Sequence, residues 1–161
     1  MAGIFRHILV PHDFSDAADS ALRVAAQLAR EHRGRLTVLN VVPPYPVAGF
    51  PEPTISIISE KQILVSARRN LEELVRRQIR GRKPRVRTVV VAGDPYHRIV
   101  EAAEGATSVV MATEGRTGLS HLLIGSVTEK VVRHSPRPVL TLRPRVPSRR
   151  KRAPRARHGS A

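Results

Sequence analysis

Runs of apolar residues four to eight long alternate with longer stretches in which apolar residues recur every three or four positions. The first kind of run is the signature of a buried strand and the second of a helix lying on a core. Ile4–Pro11 (IFRHILVP) reads as a strand that stops at proline, and SDAADSALRVAAQLAREH as the helix after it. Ser15 suits the N-cap of that helix, and Asp16 and Asp19 stand in its first turn, where the helix dipole favours anions. Ala18, Ala21, Leu22, Ala25 and Leu28 share one face, and Gly34 marks the helix end. Arg35–Val42 (RLTVLNVV), rich in β-branched residues, is a second strand. PPYPVAGFPEP holds five prolines in eleven residues and is irregular. A helix is expected from Thr54 to Arg80, its stripe carried by Leu64, Ala67, Leu71, Leu74 and Val75.

Arg85–Gly93 gives a third strand, and Asp94-Pro95 opens a short helix with proline at its first position. TSVVMA is a fourth strand, SVTEKVVRHS a helix and RPVLTLR a fifth strand. Strict alternation of strand and helix predicts an α/β fold, a parallel sheet with helices on both faces. Near-continuous apolar strands such as TVVVA fit burial on both sides. The strand order expected is 3-2-1-4-5.

In such a sheet, ligands bind at the carboxyl ends of the strands, where the winding reverses. Two loops at that end carry polar chemistry. PHDFS follows the first strand and places Pro11, His12 and Asp13 beside a helix start. The second, MATEGRTGLSHLLIGSVTEK, follows the fourth strand and is long for a compact domain. Gly115 and Gly125 allow close backbone approach or positive φ, and Gly125-Ser126 opens a helix whose free N–H groups favour an anion. The hydroxyls of Ser126 and Thr128 add donors for phosphate oxygens. Arg116, directly after Gly115, is a candidate phosphate contact, while Lys130 reads as solvated surface. The same glycines and Ser126 would equally serve turns and an N-cap. No Gly-Lys-Ser/Thr follows the glycines, so this is not a Walker A loop.

The segments HILVPHDFSDAADSAL, VAGDPYHRIVEAA and GRTGLSHLLIGSVTEKVVRHSPRPVLTLR together resemble the universal stress protein family, from about Ile4 to Arg143. The ATP-binding branch of that family carries glycine, two residues, glycine, nine residues, then glycine and Ser/Thr. Gly115 and Gly125-Ser126 match this spacing, and Ala112 stands where the first glycine would be. The resemblance implies the adenine nucleotide alpha hydrolase-like arrangement of the sheet. It implies ATP, with or without Mg²⁺, or another adenine nucleotide as ligand. Asp13 would lie near the adenosine and the backbone of Val41 would read the adenine. Met111 and Ala112 would line the site, and Gly115, Gly125, Ser126, Val127 and Thr128 would hold the phosphates. A regulatory module of the stress response follows, with at most slow hydrolysis, because no Walker-type lysine or strong general base is evident. The alternative is a nucleotide-independent, dimeric interaction protein.

Composition narrows the setting. The chain has 161 residues and no cysteine, so disulfides and thiolate metal sites do not arise, which suits the cytoplasm. No apolar run approaches the roughly 18 residues of a membrane span, and the N-terminus lacks a signal-peptide pattern. The seven histidines show no ligand spacing for a metal. A Ser126, His12 and Asp13 hydrolase set lacks a G-x-S-x-G elbow. Aromatics are too few for a base-stacking platform. The net charge is +15, and the seven Lys/Arg of residues 145–161 account for nearly half, leaving +8 for the rest. A domain over 1–144 with a disordered basic tail over 145–161 is therefore expected, the tail a candidate contact for polyanions. The last strand, Val139 to Leu142, would lie at the sheet edge and pair with a second copy, since an open apolar edge invites association.

Overall fold

The computed structural model describes residues 3–44, 60–81, 84–113 and 124–143. Nine elements alternate: β1 (His7–Pro11), α1 (Asp16–Glu31), β2 (Arg35–Val42), α2 (Glu60–Gln78), β3 (Arg85–Ala92), α3 (Pro95–Glu104), β4 (Ser108–Ala112), α4 (Ser126–His134) and β5 (Val139–Leu142). The five strands form one sheet in the order β3-β2-β1-β4-β5, and every pairing is parallel. Both the alternation and the strand order match the sequence expectation.

The elements differ from that expectation at their ends. β1 starts at His7 because the chain turns before it, with Arg6 N–H donating to the Gly3 carbonyl. α2 ends at Gln78, and the stretch 54–59 falls outside the described residues, as does the tail. Leu71, Leu74, Val75 and Ile79 are buried at the α2 end, whereas Leu64 and Ala67 are half-buried. α1 begins where Ser15 Oγ accepts the Ala18 N–H, and α3 where Asp94 accepts the His97 N–H with Pro95 at the first position. Both starts fall where the cap chemistry placed them.

Alternate strand residues feed two cores. Ile8, Val10, Leu36, Val38 and Val110 pack under α1 and α2. Leu9, Leu39, Val109 and Met111 pack under α3 and α4 with Ile99 and Val131. The buried face of α1 is almost entirely alanine, with Leu22 as its one large side chain, so the helix backbone lies close to the sheet. Leu28, expected on that face, is only partly buried.

The end of α1 corrects one reading. The residue with positive φ is Arg33 (51°), so Gly34 is not there to turn the helix into the left-handed region. A Cβ at Gly34 would stand 2.1 Å from the Phe5 carbonyl oxygen. The glycine answers a crossing of two backbone segments.

Candidate functional site

A cleft of about 340 Å³ opens at the carboxyl ends of β1, β2 and β4. Pro11, His12 and Asp13 form one wall, Leu39, Asn40 and Val41 the floor, and Met111, Ala112 and the 125–128 segment the far wall. All the sequence candidates among the described residues therefore meet here. Gly115 and Arg116 lie outside the described residues.

The first wall is built by side chains that bond their own loop. Asp13 Oδ1 accepts both the Ser15 N–H (3.1 Å) and the Ser15 hydroxyl (2.6 Å). Phe14 between them takes φ 66°, an uncommon conformation for a residue with a side chain. Its N–H donates to His12 Nδ1 at 3.1 Å, so that nitrogen carries no proton. The ring proton therefore sits on Nε2, which faces Asp19 Oδ1 at 3.1 Å. Gln78 at the end of α2 donates to the other Asp19 oxygen at 2.6 Å, and Arg23 donates to Gln78. The loop after β1 is thus tied through His12 to two helices. Ser126 takes no part, so the hydrolase arrangement weighed above does not form.

His12 is buried, and burial pushes its pKa below the ordinary imidazole range, against the pull of the Asp19 and Asp13 carboxylates. His7, at the other end of β1, is lowered by burial and then by the Arg35 charge. As pH falls below about 6.5, the unfolded chain binds protons at these two positions before the folded one does. The stability that these two neutral histidines contribute is therefore fully present above that pH and is lost as pH falls below it. The urea midpoint should fall from about pH 7 to about pH 5, and His12→Gln together with His7→Gln should flatten that fall. An unchanged slope in the double variant would assign the acid loss to carboxylates.

The floor supplies peptide groups. Alternate residues of a parallel strand direct their N–H and C=O to opposite neighbours. Leu39 C=O accepts the His12 N–H on the β1 side, and Val42 C=O accepts the Gly93 N–H on the β3 side. Val41 follows Leu39 and presents its peptide groups on the β1 side, beyond the last rung, Pro11 opposite Leu39. Asn40, which sequence reasoning passed over, is buried and donates from Nδ2 to the His12 carbonyl at 2.8 Å, holding this wall to the floor. A side-chain amide inside the apolar run VLNVV was the available signal.

The far wall is the start of α4. Gly125 is its N-cap with φ −58° and ψ 145°, a conformation open to any residue, and offers no side-chain cap. Its N–H is spent on the Thr113 carbonyl at 2.7 Å, and Glu129 N–H makes the first helical bond back to Gly125. The N–H groups of Ser126, Val127 and Thr128 precede that bond and have no acceptor within the helix. The Thr128 hydroxyl, expected to add a phosphate contact, is buried and donates to the Ala112 carbonyl at 3.0 Å. Its role is to fasten α4 to β4. Ser126 is exposed at the rim, and the Lys130 ammonium lies 6.0 Å from the centre of the Tyr96 ring. Among the described residues no three His, Asp or Glu side chains group as a metal site.

The universal stress protein family model matches residues 4–143. The chain belongs to the universal stress protein family. A universal stress protein of Methanocaldococcus jannaschii is 32% identical over 143 residues, covering 87% of this chain and 83% of its own. Among solved structures, universal stress protein UspA from Lactobacillus plantarum is 28% identical with a TM-score of 0.67, covering 86% of this chain and 98% of that one. The fold is also shared, at 24% identity and a TM-score of 0.54, with the Archaeoglobus fulgidus universal stress protein solved in complex with dAMP, over 86% of this chain and 98% of that one. Like the strand order, these matches set this universal stress protein in its fold. No helix among its described residues is long and apolar enough to cross a membrane.

Proposed function

We propose that this universal stress protein is an adenine-nucleotide-binding regulatory module of the cytoplasm, with ATP, carrying Mg²⁺ on its phosphates, as its ligand. The observation that supports this most is the uncapped start of α4 opening into a cleft large enough for a small ligand. The phosphates would lie over the N–H groups of Ser126 to Thr128, with Gly115 and Arg116 as the further phosphate contacts that the family resemblance implies. Asp13 would face the ribose, and the Val41 peptide groups would read the adenine edge. The dAMP complex of the Archaeoglobus relative makes adenine nucleotides the first class to test. A dedicated ATPase is disfavoured because both ring nitrogens of His12 are engaged, leaving neither to activate water.

Calorimetry with ATP tests the reading directly, and no binding at about millimolar ATP would overturn it. Ser126→Ala should weaken ATP by about 1 kcal/mol, the loss of one peripheral hydrogen bond. Ala112→Gly separates two causes. The Ala112 methyl is buried in the core shared with Val10, Ala17 and Ala21. Removing it should cost about 1 kcal/mol of stability and leave ATP affinity nearly unchanged. A marked gain in affinity would instead place the methyl against the ligand.

A second reading, a dimeric interaction protein, rests on β5. This four-residue strand forms one edge of the sheet and leaves Leu140 38% exposed. Pairing through Val139–Leu142 with a second copy would cover that edge. Light scattering should show a dimer at about micromolar concentration, and Leu140→Lys should yield monomers. A monomeric parent would rule this pairing out.

A further inference from the structure

A second concavity, about 900 Å³, lies at the opposite end of the sheet, where β1, β2 and β3 begin. Five arginines line it: Arg6 before β1, Arg30 and Arg33 at the end of α1, and Arg35 and Arg85 at the starts of β2 and β3. Register forces part of this crowding. His7 is the Cα partner of Arg35, and Arg35 of Arg85, so three neighbouring strands, each ~4.8 Å apart, open with a basic side chain. Among the described residues none of the five guanidiniums makes an ion pair with a carboxylate. Glu31 is the one acid on the lining, and its carboxylate accepts from Gln27. The last carbonyls of α1 accept backbone N–H groups of His32, Arg33 and Gly34, which satisfies that helix end without the arginines.

Clustered guanidiniums repel one another and destabilise the fold unless an anion sits among them. Forked donors converging from several elements suit an anion with many oxygens, and a single carboxylate would satisfy only one or two of the five. No Phe, Tyr or Trp lines the cleft, so it lacks the aromatic platform on which successive bases of a single strand stack. The charges ring a hollow, whereas a nucleic-acid backbone is met by a stripe or face. We propose that this basic cleft binds a compact anion carrying two or more linked phosphate groups, independently of the α4 site.

The test uses the full chain with inorganic tripolyphosphate as the probe. His7, whose ring lies against the Arg35 guanidinium (3.3 Å), reports occupancy: added negative charge should raise its pKa, read by NMR, while His12 stays where it was. Calorimetric affinity should fall at least about tenfold in Arg35→Gln with Arg85→Gln, and weaken several-fold from about 50 to about 200 mM salt. Arg33→Gly keeps the fold secure, since φ 51° suits glycine, and should lower affinity about threefold. Replacing the seven Lys/Arg of residues 145–161 with serine should leave the His7 shift in place. The proposal fails if tripolyphosphate moves only the 125–128 amides, if the arginine variants bind as the parent does, or if duplex DNA displaces it from His7 at lower concentration.

Discussion

Gly125→Val should abolish ATP binding, raising Kd by at least about a hundredfold, ~3 kcal/mol, while the protein stays folded. The separation follows from the geometry at the α4 cap. Valine can adopt φ −58° and ψ 145°, and its first carbon would stand 3.4 Å from the Thr113 carbonyl, an ordinary contact. Its two methyls, however, would occupy volume on the cleft wall where phosphates approach the backbone. Calorimetry gives the affinity and a thermal melt the integrity. A folded Gly125→Val protein that binds ATP like the parent would remove the phosphates from the start of α4.

Gly34→Ala should be the most damaging small substitution for stability, lowering it by about 3 kcal/mol, or about 10 °C in melting temperature. The added carbon would lie within 2.1 Å of Phe5 O and 3.1 Å of Arg6 O, both backbone atoms. Neither can retreat easily. Arg6 O accepts the Arg35 N–H, and the chain runs on at once into β1, the central strand. Gly34 N–H is itself held by the Ala29 carbonyl at 2.7 Å. A melting temperature within a degree or two of the parent would show that the crossing relaxes, and Gly34 would revert to a helix terminator.

These two glycines show what the sequence could carry. The alternation of elements and the caps at Ser15 and Asp94 were legible, because each follows from local periodicity or a residue's own hydrogen-bonding reach; the strand order came from the doubly wound arrangement that such alternation implies. Gathering of the Asp13 loop and the Gly125–Thr128 segment at one cleft followed from topology. The crossing at Gly34 was not legible, because Phe5 lies 29 positions away and nothing local to Gly34 records it. Asp19 read as a dipole partner of its own helix, yet it holds His12 and Gln78 together. Thr128 read as a ligand donor, yet its proton is committed to Ala112. The basic cleft stayed hidden for the same reason: Arg6, Arg33 and Arg85 become neighbours only when the sheet assembles.

The outermost strand has a consequence for local opening. β5 is four residues long and lies at one sheet edge, so its amides are expected to open to solvent more readily than those of the central strands. That opening does not stop at the edge. Leu142 C=O accepts the Thr113 N–H, and Thr113 C=O accepts the Gly125 N–H that sets the start of α4. Fraying at β5 therefore runs through Thr113 to the amides proposed to meet phosphate. Whatever clamps β5 in place will slow hydrogen exchange at Gly125, and whatever holds Gly125 will slow it at β5.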